Sequence, residues 1–378
     1  MTNVVIAGYQ RSPFTFAHKG ALAKVRPDEI TAQVVKALVA KTGVDTADLE
    51  DLIVGCAFPE GEQGLNVARL ISFLAELPQS VAGTTVNRFC GSSMTSIHMA
   101  AGAIAMGAGQ AFICAGIESM SRVPMAGFNP APHPGLYQRY PEAYVSMGIT
   151  AENLAKKYDI SRAEQEAVAV ESHARAAKAQ AEGKLADEIV AIVDGNIRVE
   201  QDGCIRAGTT GDDLSGLKPA FDQNGSVTAG TSSPLTDGAS AVLVCSEEYA
   251  DAHGLEKLAR IRSVAVAGCA PEIMGIGPVP ATEKALQRAG LTVADLDIIE
   301  LNEAFSAQAL AVMKETGISF DNTNIDGGAL ALGHPLGATG ARITGKAAAL
   351  LKREGKGLAL ATQCIGGGQG IATVLEAC

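Results

Sequence analysis

Residues 43–58, GVDTADLEDLIVGCAF, align without a gap on residues 290–305, GLTVADLDIIELNEAF. Six of the sixteen positions are identical, and the second copy begins 247 residues after the first. Chance can produce such identities in an alanine-rich sequence, but it does not explain the surroundings. A helical pattern precedes each copy, and a loop, a helix of small residues and a strand follow it. The sequence therefore predicts a duplicated fold.

Strands alternate with helices around both copies. This order is typical of parallel sheets that are covered by helices on both faces. We therefore expect an α/β protein whose two similar halves pack pseudo-symmetrically. A chain of 378 residues is long enough for two or three domains with sizeable cores.

The segment between the two copies breaks this pattern. Five prolines fall between Pro124 and Pro141, which disfavours regular structure and indicates a long loop. Farther along, Ser161 and Glu164 have the spacing of a capping box at the start of an amphipathic helix. The segment is therefore interpreted as an inserted lid or binding subdomain.

These patterns divide the chain into three parts. The first half comprises residues 1–117 together with residues 238–258. The insertion comprises residues 118–237, and the second half comprises residues 259–378. Both halves would have cores of their own.

Composition excludes several classes of function. A formal net charge of −11 and a pI near 5.1 argue against a nucleic-acid-binding surface. The long apolar stretch that begins at Ser96 is interrupted by His98 and Gln110, so it fits a buried helix and strand better than a membrane span. The N-terminal sequence resembles a first strand more than a signal peptide. The expected location is the cytoplasm.

The eight cysteines form no CxxC pair and no regular framework. This usage suits reduced thiols in the cytosol, most of them small buried hydrophobic residues. Cys90, in NRFCGSS (residues 87–93), differs because it lies between an extended run and the start of a helix. The positive end of a helix favours thiolate over thiol, so Cys90 is a candidate nucleophile. The alternative is an ordinary buried cysteine.

His334 lies in a glycine-rich stretch, GGALALGHPLGATGAR (residues 327–342). The glycines allow close approach of the backbone to a ligand. In the repeat, position 90 corresponds to position 337, so a pseudo-symmetric fold would bring His334 near Cys90. A neutral histidine there can take the proton of a thiol. A satisfied structural histidine is the alternative.

Two further motifs end predicted strands. In ATQCIGGGQG (residues 361–370), Cys364 precedes three glycines whose N–H groups could form an oxyanion hole. The alternative, a phosphate loop, lacks the Lys and Ser/Thr that follow a P-loop. In LNEAF (residues 301–305), Asn302 can be either a catalytic amide or a helix cap.

These four motifs resemble the thiolase family, specifically the 3-ketoacyl-CoA thiolases, in their order and spacing. The first motif extends to VNRFCGSSM, and the resemblance covers essentially the whole chain. The resemblance implies two βαβαβαββ halves stacked in five layers (αβαβα), with an inserted loop domain that binds coenzyme A. It implies coenzyme A as co-substrate, no permanently bound cofactor and no metal.

The resemblance also implies roles for the motif residues. Cys90 is the expected nucleophile and His334 the base that activates it, whereas Cys364 is the second acid/base. Asn302, through a water, and His334 would stabilise an enolate oxygen. The backbone N–H groups of Cys90 and Gly366 would form the other oxyanion hole.

The expected coenzyme A contacts are Met147, Arg206 and Ser233, and Met274 would flank the acyl pocket. Ser146 stands where short-chain biosynthetic thiolases usually have His, and TSSPLTDG replaces their NASGLNDG. NEAF, rather than HDCF, argues against the sterol-carrier type. These departures favour a degradative enzyme with broader chain-length tolerance.

The expected activity is thiolytic cleavage of 3-ketoacyl-CoA in fatty-acid β-oxidation. The alternatives are a biosynthetic acetoacetyl-CoA thiolase, a coenzyme A-binding assembly subunit without activity, and a thiol redox protein. The resemblance further implies a homodimer or homotetramer with its contact at the predicted strand 80–89. A hydratase/dehydrogenase subunit is a further expected partner of degradative members.

Overall fold

The computed structural model describes residues 2–378. The strands are β1 (Val4–Arg11), β2 (Thr15–Phe16), β3 (Leu49–Cys56), β4 (Ala82–Val86), β5 (Ala111–Ser119), β6 (Ile192–Asp194), β7 (Ile197–Val199), β8 (Thr236–Ser246), β9 (Ala259–Gly268), β10 (Ile298–Leu301), β11 (Leu358–Ile365) and β12 (Gln369–Glu376).

The helices are α1 (Pro27–Thr42), α2 (Val67–Leu74), α3 (Ser92–Ala105), α4 (Pro134–Arg139), α5 (Met147–Lys157), α6 (Arg162–Ala181), α7 (Gly211–Ser215), α8 (Glu247–Ala252), α9 (Pro278–Ala289), α10 (Ser306–Thr316), α11 (Ala329–Leu332) and α12 (Thr339–Glu354). Short 3₁₀ turns connect several of them. None of the helices within residues 2–378 combines the length and apolar character that a membrane crossing requires.

The order of the strands is the same in the two halves. The first half runs β1-β8-β5-β3-β4, and the second runs β9-β12-β11-β10, with a parallel bridge from Ile299 to Thr323 in place of a fifth strand. In both halves the first two pairings are antiparallel and the remaining ones parallel. This equivalence confirms the duplication that the repeat predicts.

The helices divide the molecule into five layers. Helices α1 and α2 cover the outer face of the first half, and α9 and α10 cover that of the second. Between the half-sheets, α3 and α12 pack against each other in a shared core. The half-sheets are joined edge to edge by the short pairing of Val5 and Ile6 with Arg260 and Ala259.

The two central helices begin at equivalent positions, Ser92 and Thr339, which differ by the repeat offset of 247 residues. Their first turns are in direct contact, because the N–H of Ala341 donates to the Ser93 hydroxyl at 2.8 Å. A Cβ atom at Gly340 would clash with the backbone of Met94, so only glycine permits this approach. The loops that precede α3 and α12 are thereby held side by side.

The insertion between β5 and β8 contains α4 to α7 and the β6–β7 hairpin. Helix α6 starts with the predicted capping box of Ser161 and Glu164. The proline-rich stretch is more regular than expected, because Pro134 occupies the first turn of α4, where its missing N–H costs nothing. The predicted strand 80–89 is shorter, β4, and lies half-exposed at the edge of the sheet.

Buried ion pairs tie the insertion to both halves. Arg11 of β1 pairs with Asp202 at 2.7 Å and with Glu188 at 2.9 Å, and all three side chains are buried. Glu188 also pairs with Lys346 of α12 at 2.9 Å. Removing one member of such a network leaves an uncompensated buried charge, so the network fixes the position of the insertion.

Candidate active site

A strained turn presents Cys90 at the start of α3. Phe89 has a φ of 43°, a left-handed conformation that is costly for a bulky residue. The Ser92 hydroxyl holds the turn, since it donates to the Phe89 carbonyl at 2.6 Å and accepts from the Arg88 N–H at 2.9 Å. Cys90 itself is only 8% exposed. The thiol therefore sits in a preformed, water-poor position.

Burial raises the pKa of the Cys90 thiol to about 11, although the N–H groups of Gly366 and of Cys90 itself partly oppose this. The start of the helix favours thiolate, but it is not sufficient to ionise Cys90 in the resting site. The physical reason is that desolvation outweighs the two backbone hydrogen bonds. A base is needed to ionise Cys90.

His334 is the candidate for that base. Its Nδ1 lies 2.6 Å from the Thr339 hydroxyl, which in turn donates to the Pro335 carbonyl at 3.0 Å. Because the hydroxyl has one proton, its oxygen must accept from Nδ1–H, and we assign this tautomer to His334. Burial, followed by the charge of Arg342, lowers the pKa of His334 to about 3. The Nε2 atom is therefore an unprotonated acceptor.

Asn302 lies beside this acceptor. Its Nδ2 is 3.4 Å from His334 Nε2, and its backbone N–H donates to the Thr362 carbonyl at 3.0 Å. Among residues 2–378, the buried Asn302 Oδ1 has no hydrogen-bond partner. A buried amide oxygen without a partner is costly, so the amide has capacity for a ligand or a water.

Cys364 lies near the end of β11, next to Cys90. The side chain of the preceding Gln363 donates to the carbonyl of Cys90 across the interface of the two halves. Burial, and then the neighbouring Cys90, raise the pKa of the Cys364 thiol well above its usual value. The following turn needs glycine, because Gly367 and Gly368 have φ values of 79° and 82°.

Apolar side chains line the approach to the thiols. Met147 at the start of α5, Met274 and Phe305 share one cluster with Cys364. A Cβ atom at Gly366 would lie 3.5 Å from the Met147 sulfur, so the oxyanion-hole candidate and Met147 are neighbours. The structure thus brings Cys90, Cys364 and Gly366 together, with Met147 and Met274 beside them, and places Asn302 against His334.

The remaining two predicted contacts lie farther out. The Ser233 N–H donates to the Ala304 carbonyl at 2.9 Å, which places Ser233 next to the LNEAF loop. Arg206 is exposed, and its guanidinium stacks over the ring of Phe16 at 5.3 Å. The backbone N–H of Arg206 donates to His173 Nδ1 at 3.1 Å. Among residues 2–378, no hydrogen bond or ring contact joins Arg206 to Cys90 or Cys364.

Sequence reasoning missed four residues around the site: Thr339, Gln363, Glu118 and Glu303. The buried carboxylate of Glu118 accepts from the N–H groups of Ala57 at 2.8 Å and Gly337 at 2.9 Å, one from each half. Three of the four lie inside or next to quoted motifs. Their polar character at predicted buried positions was the available signal.

Glu303 connects the insertion to the loop that carries His334. It accepts from the hydroxyl of Ser172 on α6 at 2.7 Å, from Asn324 Nδ2 at 2.7 Å and from the Leu330 N–H at 3.2 Å. The same Ser172 hydroxyl accepts from the Gly328 N–H at 3.1 Å. Burial raises the pKa of the Glu303 carboxyl, while these donors oppose the rise.

A duplicated α/β fold whose halves meet at two thiols and an imidazole defines the class of thiolase-fold acyltransferases. The chain matches the family description "Thiolase, N-terminal domain" over residues 4–248 and "Thiolase, C-terminal domain" over residues 255–377. The chain belongs to the thiolase family.

The chain aligns with its relatives along their full length. The chain is 48% identical over 391 residues to a 3-ketoacyl-CoA thiolase of Bacillus subtilis (strain 168), with 100% of both chains covered. It is 50% identical over 386 residues to a 3-ketoacyl-CoA thiolase of Shewanella denitrificans, again with 100% of both covered. A crystal structure of human mitochondrial 3-ketoacyl-CoA thiolase in complex with CoA matches with a TM-score of 0.92 and 35% identity, covering 100% of this chain and 98% of that one.

Proposed function

We propose that the protein cleaves 3-ketoacyl-CoA with coenzyme A, yielding acetyl-CoA and a shortened acyl-CoA through an acyl-cysteine intermediate. The observation that carries the proposal is the network that keeps His334 neutral with Nε2 unprotonated, on a loop whose Leu336 shares a cluster with Cys90, a thiol that burial keeps protonated. A protonated nucleophile next to a fixed, unprotonated base is the resting state that such chemistry needs.

The first half-reaction begins at Cys90. Its proton passes to His334 Nε2, and the thiolate attacks the 3-keto carbon of the substrate. The N–H groups of Cys90 and Gly366 are the proposed donors to the resulting oxyanion. Collapse breaks the carbon–carbon bond and leaves an acyl group on Cys90. The departing acetyl-CoA enolate is stabilised by the imidazolium of His334 and by Asn302 through a water.

Cys364 completes the proton transfers. Its thiol protonates the enolate carbon, which releases acetyl-CoA and leaves a Cys364 thiolate. That thiolate takes the proton of the incoming coenzyme A, whose sulfur attacks the acyl group on Cys90. As the acyl-CoA leaves, Cys90 recovers its proton from His334. Every proton returns to its starting residue, so the chain's own groups suffice for the cycle.

Residues 118–237 are the proposed coenzyme A-binding domain, next to the halves 1–117 with 238–258 and 259–378. Met147 lies against Gly366 and Ser233 against the LNEAF loop, so a cofactor arm between them would reach the thiols. Arg206, exposed at the outer end, is the proposed partner of a phosphate group. Met274 is the proposed wall of the acyl pocket.

A dimer or tetramer is proposed, with its contact at the free edge of β4, because an unpaired strand edge is a template for pairing with a second copy. Light scattering that gives a 38.7 kDa monomer would contradict this. A hydratase/dehydrogenase subunit is a further proposed partner. The unbridged state of all eight cysteines is compatible with the proposed cytoplasmic location.

The acyl-chain length of the substrates distinguishes a degradative from a biosynthetic thiolase. The apolar cluster around Met274 and Phe305 favours substrates with a longer acyl chain. Cleavage by coenzyme A should be measured with acetoacetyl-CoA and with a 3-ketoacyl-CoA of about eight carbons, a size that suits a mostly apolar pocket. We expect turnover of both. Activity confined to acetoacetyl-CoA would contradict the degradative function and support biosynthetic acetoacetyl-CoA thiolase.

A further inference from the structure

A cavity lies away from the thiols, where β1, the end of α1, the second half of α12 and the segment before β6 meet. Its volume is about 550 Å³, within the range of small-molecule sites, and none of the proposed catalytic residues lines it. It is bounded by both halves and by the insertion. Five of its lining residues are cationic, namely Lys41, Lys184, Lys346, Lys352 and Arg353, against three carboxylates.

Two of the three carboxylates are already neutralised. Glu188 pairs with Arg11 at 2.9 Å and with Lys346 at 2.9 Å, and Glu256 pairs with Lys352. Arg353 and Lys346 both pair with Asp326, at 2.6 Å each. The pairs hold the cations in place around the cavity, and Lys346 is only 3% exposed.

Lys184 pairs with Glu182 at 2.8 Å, so Lys41 is the lining cation without an ion pair among the described residues. Within residues 2–378, no carboxylate oxygen lies within 4 Å of its ammonium, which donates instead to the carbonyl of Asp187 at 2.7 Å. Desolvation lowers the pKa of Lys41, although the charges of Asp187 and Glu188 oppose this. Its side chain lies at the exposed rim, so an incoming anion can reach it.

The floor of the cavity is apolar, unlike the cationic rim. Ala7, Leu258, Ala349 and Leu350 give it an apolar surface. A cationic rim over an apolar floor suits a ligand that has both an anionic group and an organic body.

We propose that this cavity binds a small organic phosphate, with the phosphate at Lys41 and the flanking Lys352 and Arg353, and the organic part against the floor. Lysine binds phosphate as a compact point charge and needs no fixed fork geometry. Because the walls come from both halves and the insertion, the bound ligand stabilises their arrangement by mass action.

Isothermal titration of the full-length protein with ADP and with inorganic phosphate tests the proposal. ADP should bind saturably, and Lys41→Met should weaken it by about tenfold, a loss of roughly 1.4 kcal/mol. Lys41→Arg should retain binding. The matched control is Lys36→Met on the same helix, because Lys36 pairs with Glu76 outside the cavity. Arg206→Met separates this cavity from the proposed coenzyme A site and should leave the ADP affinity unchanged.

Thiolase activity and circular dichroism of Lys41→Met should match those of the wild type without ADP, since Lys41 has no ion-pair partner to lose. Absence of saturable ADP binding below about 1 mM would overturn the proposal. So would an equal loss in Lys36→Met, or a loss in Arg206→Met alone. Inorganic phosphate binding as tightly as ADP would contradict the role assigned to the apolar floor.

Discussion

The hydroxyl of Ser172, on helix α6 of the insertion, donates a 2.7 Å hydrogen bond to the carboxylate of Glu303, next to Asn302. The same hydroxyl accepts from the Gly328 N–H in the loop that leads to His334. One side chain of the insertion thus touches both loops that carry proposed catalytic groups. The position of α6 and the geometry of the site are therefore mechanically linked.

Replacement of Ser172 by alanine should weaken this link. The change leaves the Gly328 N–H unpartnered and removes one donor from a buried carboxylate, at a cost of about 1–3 kcal/mol in the free energy of unfolding. Because the His334 loop shifts, kcat should fall by about tenfold at the least while folding is retained. Urea titration and steady-state kinetics measure both effects. Ser215→Ala, on the exposed helix α7, is the control and should change neither.

Thr339 should affect the catalytic rate because it fixes the tautomer of His334. In Thr339→Val the Nδ1 atom loses its acceptor at 2.6 Å, so the imidazole no longer prefers the form with a free Nε2. We expect kcat to fall by about 10²-fold, within the 10²- to 10⁴-fold range for a positioned base, with little change in KM. Thr339→Ser keeps the hydroxyl and should restore most of the rate. Equal losses in both variants would show that packing, and not the hydrogen bond, is responsible.

The sequence predicts how the two halves meet better than it predicts the chemistry at their interface. The repeat offset places the starts of α3 and α12 together, because equivalent residues of two halves meet at a pseudo-two-fold axis; Ser92 and Thr339 confirm this. The positive φ of Phe89 has no sequence signal, since a bulky residue is rarely left-handed. The raised pKa of Cys90 depends on how completely the loops exclude water, which no local motif encodes.

Buried neutral histidines should make the protein sensitive to acid. Burial lowers the pKa of His98 to about 3 and that of His173 to about 4. In the unfolded chain these groups titrate near 6.5, so the unfolded state binds more protons between the two values. Their contribution to stability is therefore present above about pH 6.5 and is lost as the pH falls towards 4.

His98→Gln tests this pH dependence away from the proposed catalytic groups. The variant keeps a side chain able to bond the Thr373 hydroxyl, which lies 2.8 Å from His98 Nε2. The loss of unfolding free energy between pH 7 and pH 4.5 should be smaller than in the wild type by about 2.5 kcal/mol, since about two pKa units below 6.5 fall in this range and each corresponds to about 1.36 kcal/mol. Urea titrations at both pH values measure it. An unchanged loss would contradict the interpretation, and the exposed His133→Gln is the control for loss of an imidazole.

The two thiols at the site should behave differently towards acetyl-CoA. Cys90 has His334 as its proposed base and the N–H of Gly366 as a donor, whereas Cys364 has only to exchange protons. Mass spectrometry after mixing with acetyl-CoA should therefore place one acetyl group on the Cys90 peptide. Cys364→Ala should still form this acyl-enzyme without turning over, and Cys90→Ala should form none while it continues to bind coenzyme A. His334→Ala should slow acetylation by about 10²- to 10⁴-fold, the usual cost of losing a positioned base. Acetyl label on Cys364, or none anywhere at saturating acetyl-CoA, would show that the nucleophile is wrongly assigned.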